Sequence, residues 1–145
     1  MTDLLSKELN QIIESTLRKL ETLETESWNH KPAPDKWSKK EVFGHLIDSA
    51  LNNIHRFVRI QYGDHTNFYY DQDFWVKAND YQAQDLNTIL LLWKMLNLQI
   101  AVVWKGTSDS DLQKTIPVKD ELPTLQFLME DYLVHMNHHL KKIIG

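Results

Sequence analysis

The sequence predicts an all-α fold: a four-helix bundle with a long crossover after the second helix. Three observations lead there. Four long segments repeat their apolar residues at steps of three and four, the period of a helix with one buried face. The chain has only 4 Gly and 4 Pro, too few for the frequent turns of a β-sandwich or barrel. A stretch of roughly 20 residues with no helical period separates the second and third segments, and a connection that long lets its two helices lie parallel.

The first helix is expected from about Leu4 to Glu24, with Leu5, Leu9, Ile12, Ile13, Leu17, Leu20 and Leu23 on one face. Trp28 to Trp37 contains Pro32 and Pro34 and reads as an ordered loop. Ser38 followed three residues later by Glu41 forms a capping box that opens the second helix, with Trp37 as a hydrophobic staple. That helix runs to about Tyr62 and stops at Gly63. The crossover, Asp64 to Gln84, carries Phe68, Tyr69, Tyr70, Phe74, Trp75 and Tyr81, expected to pack over the bundle with a helical turn near Phe74. The third helix spans about Asp85 to Lys105. After Gly106 the chain is irregular, with a short extended piece at Thr115 to Val118. The fourth helix covers about Pro123 to Ile144.

One domain, 1–145, is expected from the length, and a chain of this size buries a full core without metal or disulfide. With no Cys, a disulfide scaffold, a thiolate metal site and a cysteine nucleophile are excluded, which fits a cytoplasmic location. The net charge is -4 and the Lys and Arg residues are scattered, so no nucleic-acid partner is expected. No stretch reads as a membrane span, and the first 20 residues lack a signal-peptide pattern. P-loop, Rossmann, nucleophile-elbow and zincin motifs are absent.

The candidate chemistry lies in the histidines. His135 and His139 are four apart on the last helix, so their rings share a face and can reach one ion. They continue the stripe Leu125, Leu128, Tyr132 that should face the interior. Exposure to solvent near the helix end, or a hydrogen bond to Asp131 one turn before, is the plainer explanation of the pair taken alone. His138 points roughly 100° away from His139. On the second helix His45 is the candidate third ligand. From it runs a polar line of Asp48, Ser49, Asn52 and Arg56, which is either the edge of the solvated face or a substrate wall beside a ligand. His30, His55 and His65 read as surface or loop residues.

Trp37-Ser38, Glu41, Gly44-His45-Leu46-Ile47-Asp48-Ser49 and Arg56-Phe57 resemble the second helix of the DinB-like superfamily, and His135-Met136-Asn137-His138-His139-Leu140 resembles its last. The resemblance covers essentially the whole chain and is nearest the branch containing bacillithiol transferases. It implies a bundle with a crossover after helix two and one divalent ion, zinc or nickel, held by His45, His135 and His139. It also implies a small thiol cosubstrate and an electrophilic small-molecule substrate. Three neutral imidazoles leave the ion its double charge and open positions, where a thiol or a water loses its proton more easily. Asp48, Asn52 and Arg56 are then expected to act on the substrate, with Asp48 also placed to orient a ligand imidazole. A metal-dependent hydrolase and a non-catalytic metal-binding protein are the alternatives.

The run Ile89-Leu90-Leu91-Leu92 with Trp93 and Trp104 makes the third helix apolar on more than one face. The second face would meet another copy as a homodimer, or be covered by the crossover aromatics.

Overall fold

The computed structural model describes residues 1–64, 66 and 69–145. The readings of His65 and Phe68 lie outside the described residues. Five helices form among those described: α1 (Thr2–Thr22), α2 (Lys39–Arg59), α3 (Gln72–Asn79), α4 (Leu86–Lys105) and α5 (Leu125–Ile144). The four long ones are the bundle, and the short α3 lies within the crossover. Where the sequence suggested one turn near Phe74, eight residues are helical. Asp71 caps them, accepting from the Phe74 amide, and Asp80 closes them in a left-handed conformation.

Polar caps start the other helices too. Ser38 and Glu41 make the full capping box at α2, each side chain holding the other's backbone amide. Asp85 accepts from the Thr88 amide at α4, and Thr124 from the Phe127 amide at α5. Thr124 therefore moves the start of the last helix one to two residues past Pro123. The run Ile60–Tyr62 tightens into a 3-10 turn and ends on Gly63, whose φ of 85° suits a residue without Cβ. The extended piece near Thr115 appears as two isolated bridges, Thr115 to Thr124 and Val118 to Glu121.

Neighbours in the bundle follow from side-chain contacts. Phe43 packs on Trp93, and Phe57 on Trp104. Both pairs run in the same sense along the chain, so α2 and α4 are parallel neighbours, the arrangement a long crossover permits. Ser6 donates to the Ala101 carbonyl at 2.8 Å, tying the start of α1 to the end of α4 and making them antiparallel. His45 meets His135 and His139, near the start of α2 and the end of α5, so those two helices are antiparallel as well. The core between them is dominated by Leu9, Ile13, Phe43, Leu46, Ile47, Phe57, Trp93, Ile100 and Trp104, all buried.

α4 corrects one expectation. Its 20 residues have a mean hydropathy of 1.5 over the most apolar window, long and apolar enough by length and composition to cross a membrane. In the bundle, Ile89, Trp93, Asn97, Ile100, Ala101 and Trp104 face inward. Leu91, Leu92, Met95 and Val102 remain exposed, so the crossover aromatics among the described residues do not cover that face.

Candidate metal centre

His45 lies on the buried face of α2, with the Trp37 ring 5.1 Å away between centroids. It is 1% exposed. Its ring faces His135 and His139, with centroids at 5.1 and 5.0 Å, and those two rings are 4.6 Å apart. The i,i+4 spacing on α5 thus delivers both rings to one point opposite α2. His138 is exposed and outside the cluster, touching only the His139 ring among these three, at 5.3 Å. His30 and His55 are exposed, as expected.

The geometry suits one cation. One ring nitrogen from each of the three lies within 4.8 Å of the others, and His45 Nε2 sits 3.2 Å from His135 Nε2. Two imidazole nitrogens on one tetrahedral ion, each about 2.0–2.1 Å from it, are about 3.3 Å apart. A proton shared between His45 and His135 would satisfy one pair and leave His139 aside, whereas a cation engages all three. The rings are also in the right charge state. Burial lowers the His45 pKa from 6.5 to about 4, with repulsion from His135 and His139 adding to it. Burial likewise lowers His139 to about 4 and moves His135 down. All three are therefore neutral at pH 7 and present lone pairs.

Asp48 takes a different place from the one its spacing suggested. It is fully buried and turned toward the crossover, where its Oδ1 accepts from the Tyr81 hydroxyl at 2.6 Å and from Asn79 Nδ2 at 3.0 Å. Its Oδ2 and the Nδ1 of His45 are both buried without a hydrogen-bond partner among the described residues, so Asp48 does not orient that imidazole. Burial raises the Asp48 pKa from 3.8 to about 6 against those two hydrogen bonds. Tyr81 can approach because residue 44 is Gly: a Cβ there would lie 2.1 Å from the Tyr81 ring. Asn52 is spent locally, its Nδ2 donating to the Asp48 carbonyl at 2.8 Å.

Arg56 does reach the interior. It lines a cavity of about 140 Å³ between α2 and α5, together with Ser49, Asn53, Tyr70, Tyr132 and His135. The polar row facing α5 is thus Ser49, Asn53 and Arg56, and Asp48 and Asn52 lie off it. Asn53 was not anticipated as a site residue, and of the crossover aromatics it is Tyr70 that joins the cavity wall. Asn53 follows Ser49 by one turn and bonds to its carbonyl at 2.8 Å, a spacing the sequence does contain. Among the other crossover aromatics, Tyr81 is buried while Tyr69 and Phe74 are exposed.

A model of the DinB superfamily matches residues 8–143. A solved structure, that of YfiT from Bacillus subtilis, described as a probable metal-dependent hydrolase with an unusual four-helix bundle topology, is similar in fold. Its TM-score is 0.83 at 21% identity, covering 98% of this chain and 83% of that one. No curated protein matches the chain.

Proposed function

The chain belongs to the DinB superfamily, and we propose that it is a metal-dependent transferase that joins a low-molecular-weight thiol of the bacillithiol type to an electrophile. The observation that carries this reading is the convergence of His45, His135 and His139 on one point. These three would hold one divalent ion, zinc or nickel. When bound, that ion supplies positive charge beside the reacting sulfur and favours loss of the thiol proton at neutral pH.

The chain's own residues prepare this. Burial keeps the three imidazoles neutral, so protons do not compete for them at pH 7. Trp37 packs on His45 and keeps water from that side. Asp48 acts as a positioning residue, because its bonds to Tyr81 and Asn79 pin the crossover to α2 one turn from His45. The chain has no Cys, so the sulfur arrives with the cosubstrate. In the balanced reaction the thiol proton passes to solvent and sulfur bonds to the electrophilic carbon. The leaving group departs with its bonding pair and takes up a proton.

A hydrolase is the second reading, favoured by the description of YfiT. One experiment separates the readings. Protein loaded with zinc or nickel is assayed with a chromogenic electrophile, with and without bacillithiol, glutathione or mercaptoethanol. Thiol-dependent turnover supports the transferase, and turnover without thiol supports the hydrolase. No turnover with any pair leaves a metal-binding protein. The proposed setting is the cytoplasm.

A further inference from the structure

We propose that the cavity between α2 and α5 is a subsite for a carboxylate, or an equally small anion, carried by the substrate a short distance from its reacting atom. The inference rests on the metal-centre reading, because His135 belongs both to the histidine cluster and to the cavity wall. A group in the cavity therefore sits beside an ion held by the cluster.

Volume sets the first limit. About 140 Å³ is well below the roughly 300–1,000 Å³ of a pocket that takes up a whole drug-sized ligand. That admits one small functional group with a few carbons and excludes a whole tripeptide-sized thiol. Charge sets the second. Arg56 is the one Lys or Arg among the described lining residues. It is half-buried, and loss of solvent lowers its pKa from the ordinary value. A guanidinium keeps its charge regardless, and a partly desolvated cation beside a cavity favours an anion there. Asn53 Oδ1 accepts from Arg56 Nη1 at 3.3 Å and helps to hold it in place.

The remaining walls do not compete for that role. Tyr132 donates its hydroxyl to Asn97 Oδ1 on α4, and the Tyr70 hydroxyl is engaged with Ser49. Asp131 also borders the cavity and attracts Arg56 across it, but it is exposed, so water screens its charge more than that of Arg56. Position agrees with charge. Arg56 and His45 are 11 residues apart on α2, about 16 Å along the axis. The short path starts instead at His135, which lines the same cavity as Arg56, so a ligand with one end at the cluster places a carboxylate a few bonds away inside that cavity.

The test uses the full-length protein loaded with zinc. Its zinc content is measured by atomic absorption, and 4-mercaptobutanoate and 4-mercaptobutanamide are titrated by calorimetry. The two probes share a thiol and a length and differ in charge. Wild-type protein is expected to bind the acid at least tenfold tighter than the amide. Arg56→Gln should reduce that preference to near unity with zinc content and helical signal unchanged, and Arg56→Lys should retain part of it. Equal affinities in the wild type would overturn the subsite, and so would a preference that survives Arg56→Gln. Wild-type protein that fails to hold zinc would overturn the metal centre and this inference with it. Zinc held without any carboxylate preference would overturn the subsite alone.

Discussion

Gly44→Ala makes the sharpest test of how the crossover is held. In an isolated helix the change should help by about 1 kcal/mol, because Ala is the better helix former. Here the new Cβ would sit 2.1, 2.3 and 2.7 Å from three atoms of the Tyr81 ring. Ordinary contact begins near 3.4 Å, so the ring must retreat by more than an ångström from a buried position. Overpacking of this kind costs about 1–3 kcal/mol. The retreat also strains the 2.6 Å bond from the Tyr81 hydroxyl to Asp48, and a hydrogen bond to a charged group contributes about 1.5–3 kcal/mol. The net expectation is a loss of about 2–4 kcal/mol, read by urea denaturation. The decisive measurement is a double-mutant cycle with Tyr81→Ala. Once the ring is gone, Gly44→Ala should become stabilising by about 1 kcal/mol. If Gly44→Ala is neutral in the wild type, or equally harmful in both backgrounds, the close approach of Tyr81 is not what requires glycine.

Other outcomes follow from the same geometry. His135→Ala and His139→Ala should each abolish binding of one zinc per chain, measured by equilibrium dialysis, while His138→Ala leaves it nearly intact; equal loss from all three would refute the assignment of faces. Removing the metal with a chelator should lower Tm yet leave the helical circular-dichroism signal, because the core is complete without it and the ion stabilises only by binding the native state. In metal-free protein, His45 and His139 have folded pKa values lowered to about 4 from 6.5. The stability this gives is full above pH 6.5 and is lost as pH falls toward 4. Asp48, raised to about 6 from 3.8, works the other way: its contribution is present below 3.8 and lost as pH rises through 6. Tm should therefore fall from pH 7 to pH 5, and fall more steeply in Asp48→Asn; an identical slope in both would refute the Asp48 term. Finally, Leu91, Met95 and Val102 are 59%, 55% and 64% exposed along one side of α4. A self-complementary apolar row of this kind suits a second copy across a two-fold axis. Sedimentation at micromolar concentration should show a dimer that Met95→Glu dissociates, and a clean wild-type monomer would rule it out.

The long helices were legible because each repeats its apolar residues over five turns or more, and because Ser38 and Glu41 mark a start whose chemistry is local. The histidine pair on α5 was legible for a related reason: rings four apart share a face, and that face continues an apolar stripe. That His45 would stand opposite them needed the antiparallel pairing of α2 with α5, which no local pattern contains. Its place on helix two made His45 a candidate, and the resemblance of the two histidine blocks to a known family joined it to the pair.

The polar line of α2 shows what local pattern leaves open. Spacing put Asp48, Asn52 and Arg56 on one side of α2, yet each step of four residues advances the direction by about 40°. Over two such steps the line turns by about 80°, enough for its first and last members to meet different neighbours. Asp48 accordingly meets Tyr81 and Asn79 from the crossover, while Arg56 meets the cavity against α5. Which neighbour lies at each angle is decided by where the crossover lands. That landing depends on the absence of a side chain at Gly44, 37 residues before the tyrosine it admits. A carboxylate on a polar line looks solvated in sequence; it is buried here because a distant aromatic ring closes over it and supplies the hydroxyl that makes the burial tolerable. The division of labour along α2 follows from that contact. In its first half Asp48 is closed over by Tyr81 and Asn79, and in its second half Arg56 borders the cavity against α5.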